Sequence, residues 1–199
     1  MAIAAGMLDV LDRQVQQAMS SIWSEPLHPL FRAIAELGSL ELTTLLMIGL
    51  ATYLLRAGFR VDALVVLTFV AAQVLELLYK ANLHHVGPPR SVAHADGPSI
   101  TDLVAGSGPL TNSFPSGHVV RALIAFGLIA FVVHRLARWP LARNLAIPVA
   151  TALIVLLAFD RLYLNVHWES DVLGGLLLGA IGLLAGIIWL DRPVSTGEN

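Results

Sequence analysis

The chain has 199 residues, of which 56% are hydrophobic and only 13% charged, with a mean hydropathy of +0.74. A soluble domain is about a quarter charged, so this composition excludes one and points to a membrane protein whose charges are confined to short stretches. The formal net charge of -2 argues against a nucleic-acid partner, and the absence of cysteine excludes disulfides and thiolate metal sites.

In chain order, Leu8, Leu11, Val15, Met19 and Ile22 recur three or four residues apart, with Asp12, Arg13, Gln16 and Gln17 between them. This spacing predicts an amphipathic helix within residues 1–26, lying along the membrane interface. Asp9 and Asp12 interrupt the apolar stretch and no basic region precedes it, so a cleaved signal peptide is not expected. Five segments then approach the roughly 20 apolar residues that cross a bilayer: Leu37–Leu55, Asp62–Tyr79, Gly117–His134, Asn144–Phe159 and Val172–Leu190. The expected fold is all-α, an integral membrane bundle over residues 37–190 forming one domain.

Arginine sets the expected orientation. Arg56 and Arg60, then Arg135, Arg138 and Arg143, then Arg192 fall on one side by parity, which is read as cytoplasmic. The opposite side holds the N-terminal helix, the long link across residues 81–116 and the short link before span five. The long link carries Pro88, Pro89, Pro98, Pro109 and Pro115 with four glycines, a composition suited to a lid over a site.

Three polar clusters sit at helix ends on that side. Lys80, the only lysine, ends span two; Pro115-Ser116-Gly117-His118 leads into span three; Arg161, His167 and Asp171 lie between spans four and five. Together they place a lysine, an arginine, two histidines and a carboxylate at one depth, the inventory for handling a phosphate.

This ordered set resembles the type 2 phosphatidic acid phosphatase superfamily, whose motifs run Lys-(six residues)-Arg-Pro, Pro-Ser-Gly-His and Ser-Arg-(five residues)-His-(three residues)-Asp. Here Pro115-Ser116-Gly117-His118 matches in full, and Arg161, His167 and Asp171 match with Asp160 where serine is usual. The first motif keeps Lys80 and Pro88 but has Gly87 where arginine is expected. The resemblance implies that His167 is a nucleophile forming a phosphohistidine, and that His118 protonates the leaving group and then activates water. The spacing of four between His167 and Asp171 lets the carboxylate hold one ring nitrogen and leave the other free. Lys80 and Arg161 would bind the phosphoryl oxygens, with the backbone N–H groups of Ser116 and Gly117 at the start of span three. Glu76, four residues before Lys80, would aim it.

Two residues could stand in for the absent arginine: Arg90, three positions beyond, and Arg121, one turn after His118 inside a span. The reading prefers Arg90. His84, His85 and His94 fit no tetrahedral signature and are read as pH-sensitive loop histidines, so no metal and no cofactor is expected. Asp96, Asp102 and Glu169 are read as solvated charge. Gly175, Gly179, Gly182 and Gly186 continue the stripe of His167 and Asp171 along span five, which should pack them against spans three and four.

The resulting expectation is a metal-independent bacterial membrane enzyme whose site faces outward and takes a lipid phosphomonoester or pyrophosphate. Phosphatidic acid, phosphatidylglycerol phosphate and undecaprenyl pyrophosphate are the candidates, and membrane lipids are its other partners. Two alternatives remain open: phosphotransfer to a lipid or sugar acceptor, and a non-catalytic lipid-binding or transport role. A vanadate-dependent peroxidase is disfavoured, because those relatives are soluble.

Overall fold

A computed structural model gives the structure, which describes residues 8–89 and 112–192. Its helices are α1 (Asp9–Ile22), α2 (His28–Ala35), α3 (Leu40–Arg56), α4 (Val66–Asn82), α5 (Gly117–Leu136), α6 (Pro140–Tyr163) and α7 (Glu169–Leu190), with short 3-10 turns before α2, α3 and α4. Among the described residues, four continuous segments are long and apolar enough to cross a membrane: Asp62–Asn82, Gly117–Leu136, Pro140–Tyr163 and Glu169–Leu190. The all-α membrane fold expected from the sequence is the fold found. The protein is an integral membrane bundle.

The first expected span differs. Glu25–Gly38 and Leu40–Arg56 pass the length and hydropathy test only as a pair, bent by 42° at the break between them. Ser39 causes the break. Its backbone is extended (φ -60°, ψ 153°), and its Oγ accepts from the Leu42 N–H at 3.2 Å as an N-cap. A helix running unbroken through Leu37 would tie up the carbonyl of Gly38 within its own ladder. The break turns that carbonyl toward Arg121 instead, at 3.0 Å.

Helix α5 is the axis of the bundle, touching α3, α4, α6 and α7. Its inner face, including Val120, Ile124 and Leu128, packs with Leu54, Phe69 and Leu178 in a core well away from the polar end. Large apolar side chains such as Leu45, Leu67, Val155, Leu177 and Ile188 remain exposed on the outer helix faces. For a bundle in lipid this is the expected arrangement, because no water is present to penalise them.

The glycine stripe of α7 faces inward. A Cβ at Gly175 would lie 2.7 Å from the Ser116 carbonyl, and one at Gly182 would lie 2.6 Å from Ile124 and 3.7 Å from Ala72. The stripe therefore meets α5 and α4, spans three and two, where the sequence reading put spans three and four. The reason is connectivity: α6 packs on the other flank of α5, so the small-residue face of α7 is left for α4.

Helix α1 also departs from expectation. Asp12 was read as part of its polar face, yet it is buried on the strip that faces the bundle, beside Leu8, Val15 and Met19. It accepts from the backbone N–H of Ser170 at 2.8 Å and from the Ser170 hydroxyl at 2.9 Å. Asp12 thus caps the N-terminus of α7 from another helix, which compensates its burial. Asn165, with φ 51°, ends the α6 turn and donates from Nδ2 to Ser20 Oγ at 3.4 Å, a second tie to α1.

Candidate active site

The C-terminal end of α4, the N-terminal end of α5, the turn between α6 and α7, and the first turn of α7 converge at one end of the bundle. Pro115 and Ser116 precede α5, and the Ser116 N–H donates to the Asp171 carbonyl at 2.9 Å. This bond clamps the start of α5 to the start of α7. It also occupies the N–H that the sequence reading reserved for phosphate, so at Ser116 that expectation is corrected. Gly117, one residue later, opens the helix and keeps an N–H with no partner among the described residues.

Asp171 is completely buried. Its Oδ2 accepts from the Trp168 N–H at 2.9 Å and lies 3.3 Å from His167 Nδ1. The sequence reading places this pair between spans four and five, one helical turn apart. In the structure α7 begins at Glu169, and His167 stands in the turn before it. The Trp168–Asp171 bond folds that turn so that the carboxylate still meets the ring. With Nδ1 donating to Asp171, Nε2 of a neutral His167 is the free nucleophilic nitrogen. Burial pushes the His167 pKa below its ordinary value; Asp171 opposes this shift, and Lys80 and Arg161 reinforce it. The ring is therefore neutral at neutral pH.

The cations surround this pair. Lys80, His167, Arg121 and Arg161 all lie within electrostatic range of His118. Arg121 is buried, with Nη2 3.3 Å from His118 Nδ1. A guanidinium only donates, so Nδ1 is the acceptor and Nε2 is the nitrogen left to face a substrate. Arg161, also buried, donates from Nε to Asp160 Oδ2 at 2.8 Å. Asp160, standing where serine is usual, thereby holds the guanidinium from the adjacent position.

Glu76 joins the two remaining cations. Its Oε1 accepts from Lys80 Nζ at 2.8 Å, the helical pair anticipated from spacing, and its Oε2 lies 3.3 Å from Arg121 Nη1. The carboxylate presses on the Cα of Gly117, where any Cβ would collide with Glu76 and would lie 2.8 Å from Arg121. Only glycine allows an acid this close to the positive end of α5, where the helix dipole also favours it. Gly117→Ala is therefore expected to displace Glu76 and with it both Lys80 and Arg121. A phosphate-release assay beside a thermal melt should show a rate at least about tenfold lower, the cost of misplacing charge-assisted contacts. Unchanged activity would show that this close approach is dispensable.

Of the two candidates for the absent arginine, Arg90 falls outside the described residues, as do His94, Asp96 and Asp102, while Arg121 lies within the cluster. Gly87 sits against Ser113, where a Cβ would lie 3.3 Å from the serine Cβ. Sequence reasoning missed several residues that shape the site. Asn112 accepts from the His85 N–H at 3.2 Å and donates to the Lys80 carbonyl at 2.8 Å. Trp168 Nε1 donates to the Val86 carbonyl at 2.8 Å. No spacing rule marks either, because each links segments distant in sequence.

A family model described as the PAP2 superfamily matches residues 63–194. The chain belongs to the PAP2 superfamily. Among PAP2 relatives, YbjG of Escherichia coli (strain K12), named as a candidate undecaprenyl-diphosphatase, is 44% identical over 79 residues, 39% of this chain and 35% of that one. Phosphatidylglycerophosphatase B of Bacillus subtilis (strain 168) is 39% identical over 70 residues, 35% of this chain and 34% of that one. The matched stretches thus span about a third of each of these two relatives. The bacitracin transport permease protein BcrC of Bacillus licheniformis is 27% identical over 156 residues, covering 75% of this chain and 66% of that one. A crystal structure of a transmembrane PAP2 type phosphatidylglycerolphosphate phosphatase from Bacillus subtilis superposes with a TM-score of 0.75 at 25% identity, covering 98% of this chain and 94% of that one. The PAP2 fold thus runs through nearly the whole chain, including the broken first span.

Proposed function

We propose that this chain is a lipid phosphatase that hydrolyses a lipid phosphomonoester or pyrophosphate through a phosphohistidine on His167. The observation that carries the reading is the His167–Asp171 pair, its ring held by Nδ1, within electrostatic range of Lys80 and Arg161. In this reading His167 Nε2 attacks phosphorus while Lys80, Arg161 and Arg121 hold the phosphoryl oxygens, with the Gly117 N–H adding a backbone donor. With substrate bound and Arg121 turned onto the phosphoryl oxygens, His118 in its doubly protonated form gives a proton to the leaving oxygen, and the neutral ring then takes a proton from the water that hydrolyses the phosphohistidine. Arg121 fills the part of the arginine absent at Gly87.

The reaction needs only side chains and water, so it is metal-independent. The names of the relatives support lipid pyrophosphates and phosphatidylglycerol phosphate as the substrates to try first, with phosphatidic acid beside them. The arginine-rich links lie at the opposite end of the helices, which supports a site on the extracytoplasmic face of a bacterial membrane. There a lipid keeps its tail in the bilayer and presents its phosphate to the cluster.

The test is phosphate release by purified, detergent-solubilised protein from a panel of these lipids, with and without EDTA. Release unaffected by EDTA is expected. Release that EDTA abolishes would refute metal independence. No release from any lipid would favour the second reading, transport without hydrolysis, which the likeness to BcrC, a bacitracin transport permease protein, supports.

A further inference from the structure

The Asp171 carboxylate meets two imidazoles. His167 approaches Oδ2, and His85 Nε2 lies 3.4 Å from Oδ1. Oδ1 is fully buried and has no aligned hydrogen-bond donor among the described residues, so His85 is the polar group placed to satisfy it. The same Nε2 lies 3.3 Å from Ser170 Oγ. The hydroxyl of Ser170 has one proton, and it goes to Asp12 Oδ2 at 2.9 Å. Both neighbours of His85 Nε2 are thus acceptors, and the nitrogen must carry a proton directed at them.

The backbone pre-sets this aim. The His85 N–H donates to Asn112 Oδ1 at 3.2 Å, and its carbonyl accepts from the Ser113 N–H at 2.8 Å and from the Ser113 hydroxyl at 3.0 Å. The ring stands edge-on to Phe114, with centroids 6.3 Å apart at 87°. Its neighbour His84 is exposed and has no such contacts. Among the described residues no group of three or more histidine or acidic side chains is arranged to hold a metal ion.

We propose that His85 is a positioning residue for His167, acting through Asp171. With His85 Nε2 3.4 Å from Oδ1, and Trp168 and His167 on Oδ2, the carboxylate is restrained from rotating about its own axis. The plane of the His167 ring and the nitrogen it presents are fixed in turn. Asp12 completes the device from α1 by holding the Ser170 hydroxyl in the orientation that accepts from His85. The inference rests on the His167 reading proposed above and adds a residue to it.

The test compares wild type, His85→Ala, His85→Gln, His84→Ala and His167→Ala, each as full-length protein in detergent, on a lipid phosphate that wild type hydrolyses. Glutamine places a donor close to the histidine Nε2 position. His85→Ala is expected to lower kcat about tenfold, the usual effect of losing a hydrogen bond to a charged group, with KM little changed. His85→Gln should recover most of the rate, and His84→Ala should match wild type. Wild-type kcat in His85→Ala would overturn the proposal. So would a loss confined to KM, or failure of glutamine to recover the rate in a protein that melts like wild type. Should wild type release no phosphate, the His167 reading falls, and the imidazole 15N signals of His167, assigned by their loss in His167→Ala, decide the positioning role separately. One tautomer, protonated on Nδ1, is expected in wild type and His85→Gln, and a mixture in His85→Ala. Identical signals in all three would overturn it.

Discussion

His167→Ala is expected to reduce phosphate release by about a thousandfold or more, the scale seen when a nucleophile is removed and only binding and electrostatic contributions remain. Folding should survive, because the ring's hydrogen bond is to Asp171, which keeps the Trp168 N–H at 2.9 Å. A thermal melt within a few degrees of wild type would separate lost chemistry from lost structure. Quenching wild type in alkaline denaturing detergent during turnover should trap a phosphoryl group on protein, stable in base and labile in acid, and the variant should trap none. A variant that still turns over at the wild-type rate would remove His167 from the mechanism. The pH dependence has a definite sign. Burial lowers the His167 pKa, so the nucleophilic neutral form persists below the ordinary imidazole value of about 6.5. The rate limited by this group should hold through that value and fall only as pH drops through the lower one.

Glu76→Ala should have the second largest effect, on stability and activity together. Glu76 is buried and bridges Lys80 Nζ at 2.8 Å and Arg121 Nη1 at 3.3 Å. Its removal leaves the Arg121 guanidinium buried against a neutral glutamine, a histidine and a carbonyl, with Glu41 as the remaining carboxylate in electrostatic range. Removing one partner of a buried ion pair costs about 3–5 kcal/mol, because the other charge is stranded. A detergent-phase melt or denaturant titration should register that loss, and phosphate release should fall because Lys80 and Arg121 no longer hold position. Glu76→Gln keeps one acceptor oxygen, enough for one of the two cations, and should lose less stability. If Glu76→Ala melts like wild type, Arg121 has another counter-charge.

Much of this protein is legible in its sequence. Hydropathy alone locates the second to fifth spans, since the bilayer requires a run of apolar helix whatever its neighbours do; the first is broken into a bent pair at Ser39. The spacing Arg161, His167, Asp171 and the tetrapeptide ending in His118 mark the chemistry, because local turn geometry ties residues so close in sequence to fixed relative positions. The Glu76–Lys80 pair is of the same kind, four residues apart on one helix.

What the sequence could not determine is which distant groups complete the site. Asp12 looks like an ordinary polar-face acid until α1 docks and its carboxylate meets the N-terminus of α7, 158 residues away. His85 looks like a loop histidine until the pairing of its backbone with Asn112 and Ser113 turns it onto Asp171. Arg121 looks like an isolated charge within a span until the break at Ser39 delivers the Gly38 carbonyl and α4 delivers Glu76. Even the Ser116 N–H, free on paper, is taken by the Asp171 carbonyl once α5 and α7 meet. Each depends on two helices packing at a particular rotation and depth, and periodicity within one helix carries no information about its register against another. Local spacing therefore singled out the groups proposed to react, and only the tertiary packing decided which neighbours hold them.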